Sequence, residues 1–413
     1  MSSRHADAAI IRAHREEWAR VIAALIQRFG DFDIAEEAAA EAFATAVQRW
    51  PTDGIPPNPG AWLTLTAGRE AIDRIRRESK RESKQKESRH LFDKEPPEAS
   101  GAIEDERLRL IFTCCHPALA MQARVALTLR MVAGLTVPEI ARAFLVQEST
   151  MGQRITRAKA KIKAARIPYR VPAASDLPAR VSGVLAVLFL VFNEGYLATG
   201  PDTDPIRQEL TTEAIRLTRL IRTLLPDDGE VAGLLALMLL TEARRGARIS
   251  TTGELVTIDE QNRAAWDPAL IHEGHQLVRE RLAAAITGAG PGRYQVLAAI
   301  NAVHTSAREA RDTDWSQVVA LYDQLISLDP SPIVALNRAI AVAELDGPEV
   351  ALATIDRLGD RLAGYRIYHA ARAELLRRLG RTLQARTAYD TAIAMTGNSA
   401  ETAHLTRRRA QLG

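Results

Sequence analysis

Apolar residues return at helical spacing along most of the chain. In residues 10–30, Ile11, Trp18, Val21, Ile22, Leu25 and Ile26 fall on one side of a predicted helix. From Phe32 to Trp50 the pattern repeats, with Ala35, Ala39, Ala42, Phe43, Ala46 and Trp50 as the packed face and Glu36, Glu37 and Glu41 gathered on the exposed one. Pro51 to Gly60 holds four prolines and two glycines, a loop that stops this helix and starts the next through Asn58-Pro59, a cap and first-turn pair. The third helix runs from about Gly60 to Lys80. Its Arg69, Arg74, Arg76, Arg77 and Lys80 crowd the second half, behind Trp62, Leu63 and Leu65. Residues 81–103 are charged, rich in Ser and contain Pro96-Pro97, the composition of a flexible linker.

A helical unit of four elements is predicted from Glu104 to Arg166, and its second half carries the most information. Thr136 and Glu139 are spaced as a capping box, which starts a helix over about Pro138 to Phe144. After a turn at Leu145 to Gln147, Met151, Ile155, Ala158 and Ile162 form the buried stripe of a second helix. Thr150, Gln153, Arg154, Arg157 and Lys161 are left on its other side. This is the pattern of a helix-turn-helix whose second helix enters the major groove, where Arg and Gln address base edges while Lys159, Lys161 and Lys163 meet phosphates.

Charge sharpens that picture. From Gly152 to Arg170 there are seven basic residues and no acidic one. Residues 1–170 carry 28 Lys and Arg against 22 Asp and Glu, whereas the remainder carries 26 against 29, so the basic function belongs to the first part. An acidic helix face inside that basic part suits a basic protein partner.

Beyond Val171 the chain turns to Ala- and Leu-rich helices. In ALYDQLISLDP and TAYDTAIAMTG, Asp323 and Asp390 lie 67 apart, and Asp356 divides the interval into 33 and 34. Leu345 and Leu379, and likewise Arg338-Ala339 and Arg372-Ala373, repeat at 34. That period is the one of tetratricopeptide helix pairs, which stack into a superhelix with a concave face for a protein or peptide. Residues 171–311 show no clean repeat; they contain FLVFNEGY and a small β-hairpin or loop over Arg248 to Asp267.

Several functions are set aside. The longest apolar run, Val181 to Phe192, has 12 residues, short of a membrane span, and the N-terminus lacks the basic-then-apolar order of a signal peptide, so a cytoplasmic protein with no membrane partner is expected. The two cysteines, Cys114 and Cys115, are neighbours, and with His116 they cannot easily converge on one metal ion. A structural role is expected for them. Glu194, Asp259, Glu260, Asp267, His272 and His275 carry chemistry-bearing groups, but there is no Gly-rich phosphate loop, nucleophile elbow or HExxH, so capping and inter-helix hydrogen bonds are expected of them. No catalytic residue, cofactor or metal is expected.

Taken in order, DFDIAEEAAAEAFATAVQRW, the proline loop, PGAWLTLTAGREAIDRIRR, the charged linker and LTVPEIARAFLVQESTMGQRITRAKAKI resemble the extracytoplasmic-function group of bacterial sigma factors. IFTCCHPAL, FLVFNEGYLAT and the 34-residue repeats are similar to the subgroup with a tetratricopeptide-like C-terminal extension. The resemblance implies an all-α chain: a region 2 bundle over 10–80, a linker over 81–103, a region 4 helix-turn-helix over 104–166, a helical extension over 171–311 and repeats over 312–410. It implies that Asp31, Glu36, Glu37 and Glu41 bind the β′ clamp helices of core RNA polymerase and that region 4 lies near the β flap. Asp53 and Asn58 in the proline loop would receive a flipped base of the −10 element, with Arg69, Arg74, Arg76 and Arg77 on the opened strand. Thr150, Gln153, Arg154, Arg157, Lys159, Lys161 and Lys163 would meet the −35 element. A function as promoter-specificity subunit follows, regulated in cis by the extension, the alternatives being a helix-turn-helix DNA-binding transcription regulator or a tetratricopeptide scaffold.

Overall fold

In the computed structural model, which describes residues 3–82, 106–144, 146–198, 205–285, 290–395 and 398–412, the chain is helical throughout and no strand occurs among the described residues. The expected linker lies outside the described residues from 83 onward, as does Leu145 of the expected turn. The contacts divide the chain into two compact units, residues 1–188 and 189–413.

The first unit opens with α1 (Ser3–Phe29), α2 (Phe32–Asp53) and α3 (Pro59–Glu82), which pack on one another. Asp31 caps α2, its carboxylate accepting the backbone N–H groups of Asp33 and Ile34, and this satisfies two of the orphan donors of the first turn. All six residues expected on the packed face of α2 are buried. Pro51 does not stop the helix. It sits in the last turn, and α2 runs on to Asp53 before Gly54 ends it by donating its N–H to the Trp50 carbonyl. Asn58 caps α3 as its sequence position suggests, with Oδ1 accepting the Ala61 N–H at 3.0 Å.

Four further helices follow, α4 (Glu106–Cys114), α5 (Met121–Met131), α6 (Val137–Ala143) and α7 (Glu148–Ala164). The capping box at the start of α6 is formed: the Thr136 N–H donates to Glu139 Oε2 at 2.6 Å and the Glu139 N–H to Thr136 Oγ1 at 3.3 Å. Met151, Ile155, Ala158 and Ile162 are buried. Cys114 and Cys115 are fully buried free thiols; burial pushes both up, Cys115 to about 11, which leaves them protonated and inert at neutral pH.

α8 (Leu177–Tyr196) contains the boundary between the units. It is long and apolar enough by length and composition to cross a membrane, yet Val181, Val184, Leu185, Val187, Leu188, Val191 and Phe192 are buried inside the protein. In the second unit, α9 (Gln208–Leu224) leads into α10 (Gly229–Glu242), whose residues from Val231 to Glu242 are all buried. A helix that is apolar all round belongs at the centre of a bundle, and α10 packs against α9, α11 (Pro268–Ala285) and α12 (Arg293–Ser306). Gly233 permits the closest of these crossings, since a Cβ there would stand 2.5 Å from the Gln295 backbone nitrogen. The hairpin or loop expected over 248–267 is a loop with a single antiparallel bridge between Ile249 and Leu255, among turns and short 3-10 helices.

The rest of this unit is built from α13 (Trp315–Leu328), α14 (Pro332–Leu345), α15 (Pro348–Asp356), the single turn α16 (Gly359–Leu362), α17 (Arg366–Arg378), α18 (Thr382–Ala394) and α19 (Ser399–Ala410). α13 pairs with α14, α15 with α17 and α18 with α19. The repeating aspartates each meet an arginine of the second helix: Asp323 with Arg338 at 2.6 Å, Asp356 with Arg372 at 2.7 Å, and Asp390 with Arg409.

Candidate nucleic-acid interface

The exposed side of α7 presents Thr150, Gln153, Arg157, Lys161 and Lys163 to solvent, with Arg154 half-buried beside them. The capping box fixes the start of α6, and α6 and α7 pack on one another. Gln147 stands at the N-cap of α7 without a side-chain cap, which leaves the first-turn N–H groups and the positive end of the helix dipole open to an anion such as phosphate. Lys159 departs from its neighbours. It is 9% exposed, and its ammonium lies between Asp33 Oδ1, at 2.8 Å, and Glu36 Oε2.

α3 offers a second basic surface. Arg69, Arg76 and Arg77 are exposed, as are Asp53 and Asn58 in and before the loop that leads into it. Arg74 is half-buried and paired with Glu37 of α2. Arg76 lies 3.8 Å from Asp73, and the Arg77 Nε donates to the Asp73 carbonyl at 3.2 Å.

The acidic face of α2 is thus divided. Glu41 is exposed at its outer end. Glu37 meets Arg74 within the same three-helix bundle. Asp31 and Glu36 instead meet the later helices of the unit, Asp31 with Lys163 at 3.4 Å, and Glu36 with both Lys159 and the Arg130 guanidinium, the latter at 2.5 Å. Burial alone would push the Glu36 carboxyl up, but the charges and hydrogen bonds of Lys159 and Arg130 overcome it and hold it below the ordinary value. The same balance holds for Asp31, where burial is outweighed by the Ile34 and Asp33 N–H groups and by Lys163.

Sequence reasoning missed Arg130 and the partnership of Lys159. At 100° per residue, Lys159 lies about 40° beyond Ile155, just outside the edge of the buried stripe, and that flanking position is the one signal the sequence offers. The chemistry-bearing residues of the second unit hold structural partners: Glu194 meets Arg207 at 3.0 Å, Asp267 caps α11 through the Ala269 and Leu270 N–H groups, His275 shares a hydrogen bond with Thr305 at 2.8 Å, and Glu260 meets Arg407 and Arg408. His272 and Asp259 are exposed. Among the described residues, no three His, Cys, Asp or Glu side chains converge as metal ligands.

Comparison with known families places sigma-70 region 2 on residues 10–81 and sigma-70 region 4 on residues 109–162. Residues 180–282 match a family of unknown function (DUF6596). An uncharacterized protein of Rhizobium meliloti (strain 1021) is 43% identical over 393 residues, which cover 94% of this chain and 92% of that protein. No solved structure matches the chain.

Proposed function

The chain belongs to the sigma-70 family, a sigma factor that recognises promoter elements with core RNA polymerase and promoter DNA as its partners, and from that premise we propose that it is of the extracytoplasmic-function type. Its matched domains are those of a non-catalytic transcription factor. The observation that carries the finer reading is that region 2 ends at residue 81 and region 4 begins at residue 109, an interval too short for another folded domain.

In this reading Asp31, Glu36, Glu37 and Glu41 meet the β′ clamp helices, and region 4 meets the β flap. Asp53 and Asn58 receive the flipped −10 base while Arg69, Arg74, Arg76 and Arg77 track the opened strand, since unstacked bases enter pockets and basic groups follow the backbone. Thr150, Gln153, Arg154 and Arg157 read the −35 element, with Lys159, Lys161 and Lys163 near phosphates. The protein acts in the cytoplasm, without catalysis or cofactor. The Asp–Arg pairs recurring at α13/α14, α15/α17 and α18/α19 support a tetratricopeptide-like array that takes a protein or peptide in its groove and regulates initiation in cis.

The test is transcription from genomic fragments by purified core RNA polymerase supplied with this chain alone. Selective initiation, lost when Glu37 and Glu41 are reversed to Lys, is the expected result; absence of initiation with the intact chain contradicts the reading. Regulation in cis is tested by the chain ending after Tyr196, which should respond differently from the full chain to added cell extract.

A further inference from the structure

The first unit holds its promoter-binding halves against each other through the surfaces that the proposed function needs open. Three carboxylates of α2 and its cap face three cations of the later helices: Lys159 reaches Asp33 and Glu36, Arg130 reaches Glu36, and Lys163 reaches Asp31. The charges cancel. The centre of the group is withdrawn from water, with the Lys159, Arg130 and Glu36 side chains 9%, 15% and 14% exposed, so deleting one partner from the closed form strands a buried charge.

Further contacts frame this group. The Trp18 indole N–H donates to the Arg130 carbonyl at 3.3 Å, and the Arg130 guanidinium lies 5.7 Å from the Trp18 ring centroid while donating to the Leu135 carbonyl at 2.8 Å. Past the end of α7, Arg166 takes a left-handed backbone, and Tyr169 donates its hydroxyl to the Ala23 carbonyl of α1 at 3.2 Å. Gly134, at φ +78°, presses on α1 so closely that a Cβ would stand 2.7 Å from the His14 ring and 3.0 Å from Trp18.

We propose that the free protein is clasped shut by this acid–base group, and that core polymerase opens it by competing for the same carboxylates. The consequence for polymerase rests on the reading of the α2 face given above; the clasp itself does not. Glu36 and Asp31 cannot serve Lys159 and Lys163 and a basic surface of polymerase at once. Engagement of α2 therefore frees Lys159 and Lys163 for phosphates, and DNA reading by α7 is withheld until polymerase is bound. A partner that binds only the open state shifts the population toward it, and its apparent affinity is reduced by the fraction that is open.

The experiment uses the full chain with spin labels on cysteines placed at Gln48 of α2 and Ala160 of α7, both exposed, the native thiols being buried. The free protein should give one short, narrow distance distribution. Lys159→Glu should lengthen and broaden it, and so should Gly134→Asn, whose side chain tolerates the left-handed backbone but wedges against His14 and touches no proposed polymerase or DNA contact. Saturating core polymerase should lengthen it in the wild type, and Gly134→Asn should bind polymerase at least about threefold more tightly. A free wild type as broad as the Lys159→Glu protein overturns the clasp. A narrow distance that polymerase binding leaves unchanged overturns the competition. Failure of both wild type and Gly134→Asn to bind polymerase overturns the reading of the acidic face, and the distances in the free protein still decide the clasp.

Discussion

Both units are rich in ion pairs between helices, but they use them differently. In the second unit the pairs Asp323–Arg338, Asp356–Arg372 and Asp390–Arg409 join residues 15, 16 and 19 apart and recur with the repeat. Their side chains are 30–55% exposed. In the first unit Arg130–Glu36 and Lys159–Glu36 join residues 94 and 123 apart, occur once, and are largely buried. The difference is one of purpose as well as position. Exposed pairs cost little to form and little to break, so they adjust helices already held by apolar contacts such as Leu336, Leu352, Ile355 and Leu375. A buried pair is costly to halve, which makes it a poor strut and a good two-state device.

The largest break in that comparison should come from Lys159→Met. Removing the ammonium leaves Glu36 with Arg130 alone and Asp33 with no cation, and denaturant unfolding of the first unit should show a loss of about 3 kcal/mol. Acid sharpens the point. Glu36 is held below its ordinary 4.5, so its contribution is complete above that value and disappears as the pH falls through the lowered native one. The interlabel distance of the wild type should therefore be constant from neutral pH to about 5 and lengthen below about 4.5, while Lys159→Met should lose most of this dependence.

Next in size is Gly233→Val, which tests the apolar side of the comparison. The added methyls would drive α10 into the Gln295 backbone, and the second unit should lose about 2 kcal/mol by thermal unfolding with the first unit unaffected. Thr136→Ala should cost about 1 kcal/mol by removing the cap of α6, and should weaken duplex DNA binding by the opened Gly134→Asn protein through the loosened turn. Smallest of all is Asp356→Ala, a repeated exposed pair, for which calorimetry should show less than about 1 kcal/mol. A loss at Asp356 as large as at Lys159 would erase the distinction between strut and clasp.

What could be read from the sequence follows the same division. Local signals were legible: the Thr136–Glu139 box, the Asn58 cap, the stripe of Met151, Ile155, Ala158 and Ile162, and the aspartates that return every 33 or 34 residues each depend on neighbours within one or two helices. Pro51 reads in the sequence as a breaker, whereas a last-turn proline is carried until Gly54 closes the helix at Asp53. The hairpin or loop expected near Arg248 is a loop closed by one antiparallel bridge, and it also ties to the last helix, Leu255 donating to the Ala400 carbonyl and Glu254 meeting Arg407. The partnership of Lys159 was hidden for a different reason. No periodicity links residues 123 positions apart, and within a run of seven basic residues little beyond the flank of the stripe marks Lys159, or Lys163 after it, as facing carboxylates of its own chain.

The account turns on one acidic face serving two partners in succession, so the most direct measurement is transcription by core RNA polymerase titrated against the full-length chain and its Gly134→Asn variant. The account predicts initiation at one discrete set of promoters with both proteins, the variant reaching half-maximal yield at the lower concentration. Initiation by neither protein at any concentration would contradict it.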